Sequence, residues 1–234
     1  MVDIHCHALY GVDDGADNIE ESAAMLKQAK FQGVEAVVLT PHYRHGMFPY
    51  PKERILRHFE ELAPLAEETG VELYLGCEYH VNSRITEALA SGRCLSMAGG
   101  DFVLTEYSFE TEYSYINEQT RKLLSCGYIP VIAHVERYGC FLKSPKLCAE
   151  LSDTGAYIQI NADSILGLAG KAAEKFCKKL LKHEWADIAA SDAHGIKNRA
   201  SHLGECREHV VKKYGEEYAE LLFEHNPRRI IRNR

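Results

Sequence analysis

Val2-Asp3-Ile4-His5-Cys6-His7 near one end of the chain and Ala190-Ser191-Asp192-Ala193-His194 near the other carry the same device. In an extended strand, residues i and i+2 point to one face. His5 and His7 therefore aim two metal-ligating side chains in one direction, and Asp192 and His194 do the same. If the chain closes on itself as a barrel, its first and last strands become neighbours. The four side chains can then share one site, and that geometry suggests a metalloenzyme.

Outward from these stretches, short apolar, β-branched-rich runs recur at roughly residues 2–6, 34–40, 71–77, 102–106, 129–133, 156–160 and 187–191. Helical patterns separate most of them. The first helix is well marked: Asn18 can cap it, Glu21 completes a capping-box pattern, Ile19, Ala23 and Leu26 keep one apolar face, and Gly33 ends it. Residues 52–69 predict a second helix ending near Gly70. Further helices are expected near 115–126, 144–154, 171–183, 201–214 and 216–225, the last closing the chain before Asn226-Pro227. No repeat, low-complexity linker or change of composition interrupts the alternation. The expected class is α/β, with seven strands in a single domain over residues 1–234, a parallel (β/α) barrel if the first and last strands meet.

Each expected strand is followed by a polar residue able to act in a site. His5 and His7 close the first and Thr40-Pro41-His42 follows the second. Glu78 follows the third and Glu106 ends the fourth. His134 follows the fifth, Asn161 the sixth, and Asp192 with His194 the seventh. In a parallel barrel these ends share one face, the face where barrel enzymes place their chemistry.

The bulk numbers narrow the function. Lys plus Arg is 27 against 34 for Asp plus Glu, a net charge of −7, which argues against nucleic-acid binding as the main activity. Met1-Val2-Asp3-Ile4-His5 has no basic or long apolar stretch, so no signal peptide is expected, and no run reaches membrane-span length. Eight cysteines without a C-x-x-C pair read as reduced thiols of a cytoplasmic protein, with Cys6 and Cys77 as small buried hydrophobes.

Each candidate has a bland alternative. His5 and His7 could be strand-end histidines satisfied by backbone groups, but with Asp192-x-His194 and the other strand ends the metal reading is favoured. Glu78 and Glu106 directly follow apolar strands, where a carboxylate costs free energy unless ionic or hydrogen-bonded partners meet it. Asp13-Asp14-Gly15 looks like a turn, yet it leaves the first strand on the proposed active face; Asp14 is preferred there as ligand. Arg137 could hold a substrate oxyanion, or simply pair with Glu136. The loop Tyr43-Arg44-His45-Gly46-Met47-Phe48-Pro49-Tyr50 reads either as a packed surface loop or as a substrate rim. In the second reading Arg44 takes phosphate and Phe48 or Tyr50 an aromatic ring. His80 ranks below the other site histidines, His202 is a candidate for an outer position, and His45, His58, His183, His209 and His225 read as solvated or packed.

Collectively these residues resemble the PHP (polymerase and histidinol phosphatase) metal-dependent hydrolases over nearly the whole chain. Within them they resemble the CpsB/YwqE-type bacterial protein-tyrosine phosphatases of capsule and exopolysaccharide synthesis. Asp3-Ile4-His5-Cys6-His7, Val12-Asp13-Asp14-Gly15, Glu20-Glu21-Ser22, His42 with Gly46-Met47-Phe48, Ala133-His134-Val135-Glu136-Arg137-Tyr138 and Ala190-Ser191-Asp192-Ala193-His194 carry the likeness. The resemblance implies a distorted seven-stranded (β/α) barrel with a cluster of three divalent ions, usually manganese. The ligands carried over are His5, His7, Asp14, His42, Glu78, Glu106, His134, Asp192 and His194. Arg137 would bind phosphate, with Arg199 a weaker candidate. His80 departs from the pattern, where an aromatic residue is expected, and so does Pro41.

His and carboxylate ligands suit Mn, Fe or Zn without choosing among them. The expected reaction is hydrolysis of phosphotyrosine by metal-activated hydroxide, with His194 or a water as a candidate acid. The partner implied is a bacterial tyrosine kinase. A phosphocysteine intermediate is not expected, because no cysteine has Arg at the C-x5-R spacing. The alternatives are a histidinol-phosphate phosphatase, another PHP phosphoesterase, or a docking regulator of a kinase or glycan-assembly complex.

Overall fold

The apolar runs do become strands, and the polar breaks within them divide the sheet. The computed structural model describes residues 1–232. Its strands are β1 (Val2–Cys6), β2 (Ala36–Leu39), β3 (His42–Tyr43), β4 (Glu72–Leu75), β5 (Glu78–His80), β6 (Phe102–Glu106), β7 (Ile129–Ile132), β8 (Tyr157–Asn161) and β9 (Ile188–Ala190). They pair in parallel in two sheets, ordered β1-β2-β4 and β3-β5-β6-β7-β8-β9.

The expected run 34–40 thus continues past Pro41 as β3, and the run 71–77 continues past Gly76 as β5. Pro41 has no N–H for the ladder. Gly76 passes so close to Met97 that a Cβ there would lie 2.8 Å from its sulfur. These breaks shift the chain from one sheet to the other, so the strands do not form one continuous seven-stranded ladder.

The first and last strands are neighbours. Cys6 and Ala193 form an isolated parallel bridge, with His7 N donating to Ala193 O at 2.8 Å and Asp192 N to His5 O at 2.9 Å. Buried Asp3 reinforces the seam by accepting from Ser191 N at 3.0 Å and Ser191 Oγ at 2.5 Å.

The helices are α1 (Ile19–Phe31), α2 (Lys52–Thr69), α3 (Ile85–Ala90), α4 (Tyr113–Ser125), α5 (Gly139–Lys143), α6 (Lys146–Ser152), α7 (Ala162–Leu166), α8 (Lys171–Lys182), α9 (Leu203–Tyr214), α10 (Glu216–Glu220) and α11 (Asn226–Arg232). Asn18 caps α1 by accepting from Glu21 N at 2.9 Å, while Glu21 reaches back to Asp17 N at 3.0 Å. The expected stop at Asn226-Pro227 is corrected. After α10 the chain makes a π-turn over Leu221–His225 and runs on into α11, with Pro227 in the first turn. The backbone stays right-handed helical through Leu221 and Asn226, and Asn226 N donates five residues back to Leu221 O, so Pro227 lies within a continuous helical path whose wider π-turn accommodates the missing N–H.

Two apolar layers fill the interior. Val2, Ile4, Ala36, Val38, Phe102, Leu104, Val131, Ala133, Ile188 and Ala190 form an inner cluster drawn from both sheets, joined by Met97 and by Ile230 and Ile231 of α11. Leu26, Ile55, Leu62, Leu123, Leu151 and Leu180 belong to the larger cluster, where helices pack on the strands. The inner cluster ends where the polar strand ends begin: Phe102 and Leu104 lead in phase to Glu106, and Ile188 and Ala190 to Asp192. On β1 the phase slips, since Val2 and Ile4 are inside while His5 and His7 reach the site. A register irregularity between Asp3 and Cys6 accompanies this slip.

Candidate metal centre

Nine side chains expected from the sequence converge above the inner cluster. Four overlapping groups each hold their donor atoms within 4.8 Å of one another: His7, Asp14, His42 and His194; His5, His134 and Asp192; His5, His7 and Glu78; His42, Glu78 and Glu106. Glu78 is the hub. Its Oε2 lies 3.2 Å from His5 Nε2, 3.2 Å from His7 Nε2 and 2.9 Å from His42 Nδ1, and its Oε1 lies 2.8 Å from His134 Nε2. Asp14 reaches in from its loop to 3.4 Å from both His42 Nε2 and His194 Nε2. Gly15 makes that reach possible, because any Cβ there would sit 1.9 Å from the His7 carbonyl oxygen.

Other side chains hold these donors in place. Asp13 Oδ2 lies 2.8 Å from His7 Nδ1 and accepts from His42 N at 3.0 Å. Gln159 Oε1 accepts from His134 N at 2.9 Å and sits 3.1 Å from His5 Nδ1. The Gln159 amide donates to Asn161 Oδ1, and Asn161 Nδ2 donates to Asp192 Oδ2, both at 2.8 Å. Tyr138 OH lies 3.3 Å from His134 Nδ1 and accepts from Tyr107 N at 3.1 Å. Gln159 lies mid-strand and carries no signal in the sequence, and Tyr138, although it closes the His-Val-Glu-Arg-Tyr segment, is given no role by it.

The electrostatics of the cluster favour positive charge. Burial opposes protonation of His42, but Glu78 and Asp14 outweigh it and push the ring up to about 11. Burial and His42 oppose protonation of His7, but Asp13 and Glu78 push it up to about 9. His134 is held down at about 4, by burial first and then by the Arg137 charge. Burial also lifts Glu106 to about 7, helped by the Glu78 charge. Glu78 itself is desolvated, yet the His5 and His42 rings hold it well below the usual carboxylate range.

Buried His42 Nδ1, Glu78 Oε2, Glu106 Oε2 and His194 Nε2 have no hydrogen-bond partner among the described residues. His42 Nδ1 and Glu78 Oε2 are close, but not in hydrogen-bonding geometry. Buried polar atoms are rarely left unmet. Donors of this kind, converging from several strands, fit divalent cations.

Arg137 Nη2 donates to Asp192 Oδ2 at 2.7 Å rather than pairing with Glu136, whose carboxylate accepts from Asn161 N. Arg199 Nη2 lies 3.2 Å from both Asp192 oxygens. Arg44 lies apart from these two, on the side of Glu106 and His80, where its charge acts on both. Phe48 stacks on His42 with 5.0 Å between centroids. Tyr50 is corrected from a rim residue to a buried one, its hydroxyl donating to Gly76 O at 3.0 Å. His80 meets Ser108, His202 pairs with Asp163, and His58 stacks on Tyr10, all outside the four groups.

The family described as capsular polysaccharide synthesis, CpsB/CapC, matches residues 1–232. The chain belongs to the CpsB/CapC family. Its relative "Tyrosine-protein phosphatase CpsB" from Streptococcus pneumoniae is 34% identical over 238 residues, covering 99% of this chain and 98% of that one. Solved structures of YwqE from Bacillus subtilis and CpsB from Streptococcus pneumoniae are described as unique metal-dependent tyrosine phosphatases. One aligns with a TM-score of 0.93 at 30% identity, over 100% of this chain and 95% of that one. A phosphotriesterase homology protein from Escherichia coli aligns with a TM-score of 0.62 at 13% identity, over 97% of each chain. At that identity the likeness concerns the fold alone. The CpsB/CapC resemblance carried by the His-Val-Glu-Arg-Tyr and Asp-Asp-Gly segments is thus a family membership.

Proposed function

We propose that this chain is a metal-dependent protein-tyrosine phosphatase whose substrate is phosphotyrosine on a bacterial tyrosine kinase of capsule or exopolysaccharide synthesis. The observation that carries it is the convergence of nine His, Asp and Glu donors on one strand-end face, with two arginines on Asp192. In this reading residues 1–234 are one PHP domain, a distorted seven-stranded (β/α) barrel working in the cytoplasm. Among the described residues no helix is long and apolar enough to cross a membrane.

His5, His7, Asp14, His42, Glu78, Glu106, His134, Asp192 and His194 hold the ions, three in number, with manganese preferred over iron or zinc. When bound, such ions supply Lewis acidity that activates water and neutralises a phosphoryl group. Arg137 and Arg199 bind the phosphoryl oxygens, because a planar guanidinium offers paired N–H donors to such oxygens. His194 Nδ1 lies 2.9 Å from Asp192 O, an atom that only accepts, so the ring carries its proton on Nδ1 and presents Nε2 as a lone pair. That tautomer suits a ligand better than an acid. A phenolate leaving group, with an unperturbed pKa near ~10, needs less help from an acid than an alkoxide does. The buried Cys6 and Cys77 thiols are pushed up by burial, the wrong direction for a nucleophile.

The test is hydrolysis of a phosphotyrosine peptide beside histidinol phosphate, on one metal-loaded preparation. Preference for the peptide supports the reading. Preference for histidinol phosphate keeps the metal centre and removes the substrate assignment. A His134→Ala variant that binds the kinase and still regulates it without hydrolysis favours a docking regulator instead.

A further inference from the structure

At the strand ends opposite the metal centre lies a cavity of about 520 Å³, floored by Phe102 and Ile129 and rimmed by His225, Arg228, Arg229 and Arg232. Phe102 and Ile129 begin β6 and β7, whereas Glu106 and His134 follow the far ends of the same strands. The arginines are not equivalent. Arg228 is already engaged, its guanidinium donating to Glu35 at 2.6 Å and to Glu224 at 2.8 Å. The Arg229 guanidinium carbon lies 5.7 Å from the Tyr157 ring centroid, a contact that leaves its N–H groups without a hydrogen-bond partner among the described residues. Neither Arg229 nor Arg232 has an ion pair among the described residues.

In a chain of net charge −7, Arg229 and Arg232 thus set two cations without ion pairs among the described residues beside an apolar floor. Its chemistry calls for an anion attached to a flat apolar group. Guanidinium N–H groups match phosphate oxygens, and the Phe102 and Ile129 floor suits an aromatic ring. We propose that this cavity is a noncatalytic docking site for an acidic, phosphotyrosine-bearing segment of a protein substrate. The inference rests on the phosphotyrosine-phosphatase reading. A substrate phosphorylated on more than one tyrosine then engages the chain at two places, which raises its effective concentration at the metal centre.

The experiment compares wild-type, Arg232→Glu and Arg229→Gln proteins, all metal-loaded. The substrates are a flexible acidic peptide with two widely spaced phosphotyrosines, its singly phosphorylated counterpart, and p-nitrophenyl phosphate. Arg232 is exposed, so its replacement spares the fold. The proposal expects KM for the doubly phosphorylated peptide to rise about tenfold in the variants. The kcat for each of the three substrates and the p-nitrophenyl phosphate KM stay unchanged. An unchanged peptide KM overturns it. So does charge-dependent binding to phosphatidylglycerol vesicles without peptide binding, which marks a membrane-facing patch instead. If no phosphotyrosine is hydrolysed at all, the phosphatase reading fails. Fluorescence anisotropy of a labelled, non-hydrolysable phosphonate form of the peptide then decides docking on its own. Loss of binding in Arg232→Glu supports the site, and equal binding removes it.

Discussion

Gln159 Oε1 sits 3.1 Å from His5 Nδ1 and also accepts from the backbone N–H of His134, so it is the amide oxygen, and not the nitrogen, that faces His5. The ring must then donate from Nδ1 and turn its Nε2 lone pair toward Glu78 and Asp192. One mid-strand glutamine thereby sets the tautomer of one proposed ligand and the backbone of another. Side chains that fix a ligand in this way commonly contribute 10–100-fold in metal affinity. Gln159→Leu is expected to raise the Mn²⁺ concentration for half-maximal activity by roughly that factor, with kcat at saturating metal largely kept. A metal-titration curve superimposing on wild type would show that Gln159 only packs.

Gly15 makes a sharper prediction. A Cβ at this position would lie 1.9 Å from the His7 carbonyl oxygen and 2.7 Å from the His7 Cβ. Gly15→Ala should push the loop away, costing about 1–3 kcal/mol of stability and weakening metal binding through Asp14. Urea unfolding combined with metal titration checks both. Loss of stability with metal affinity intact would separate Asp14 from the centre.

Arg137 and Arg199 share Asp192, but Arg137 is the closer and more buried, its side chain 35% exposed against 43%. Removing a donor to the reacting oxygens costs about 10²–10³ in kcat. Arg137→Ala should lose that much, Arg199→Ala less, and Arg44→Ala least because it stands on the Glu106 side. Steady-state kinetics with a phosphotyrosine peptide ranks them. An Arg44→Ala loss larger than that of Arg137→Ala would move the phosphoryl group across the mouth.

Asp187 supplies a pH dependence far from the ligands. It accepts from Ile158 N at 2.8 Å and Ser152 Oγ at 3.2 Å, yet burial pushes it up to about 6. The folded chain therefore holds this proton more tightly than the unfolded chain, whose carboxyl titrates near ~3.9. The stability it contributes is fully present below about pH 4 and is lost as pH rises through about 6. Asp187→Asn removes that loss. In metal-stripped protein, the difference in unfolding free energy between variant and wild type should move in the variant's favour by up to about 3 kcal/mol between pH 4 and pH 7. A constant difference would contradict the linkage.

These residues also show what a sequence can disclose. The pairs His5/His7 and Asp192/His194 were legible because strand alternation acts over two residues, and their meeting followed once the first and last strands were taken as neighbours. The phase slip on β1 was not legible, since a one-residue irregularity is set by the partner strand. Gln159 acts on ligands 25 and 154 residues away, so no local spacing announces it, while Asp13 and Tyr138 stand in quoted segments whose spacing does not say which ring nitrogen they meet. Tyr50 looked like a rim aromatic because its hydroxyl partner, Gly76 O, lies on a different strand connection. Pro227 reads as a stop because its missing N–H breaks an α-helical ladder, and no local residue announces the π-turn through which the helix continues. The split of the sheet at Pro41 and Gly76 had visible residues, but its result depends on Met97 lying beneath.

Metal dependence is tested by phosphate release from a phosphotyrosine peptide by metal-stripped protein across a Mn²⁺ titration, with bound metal counted per chain. Release is expected to be negligible without metal and to rise with occupancy toward about three ions per chain. Release that is indifferent to metal removal would contradict that dependence.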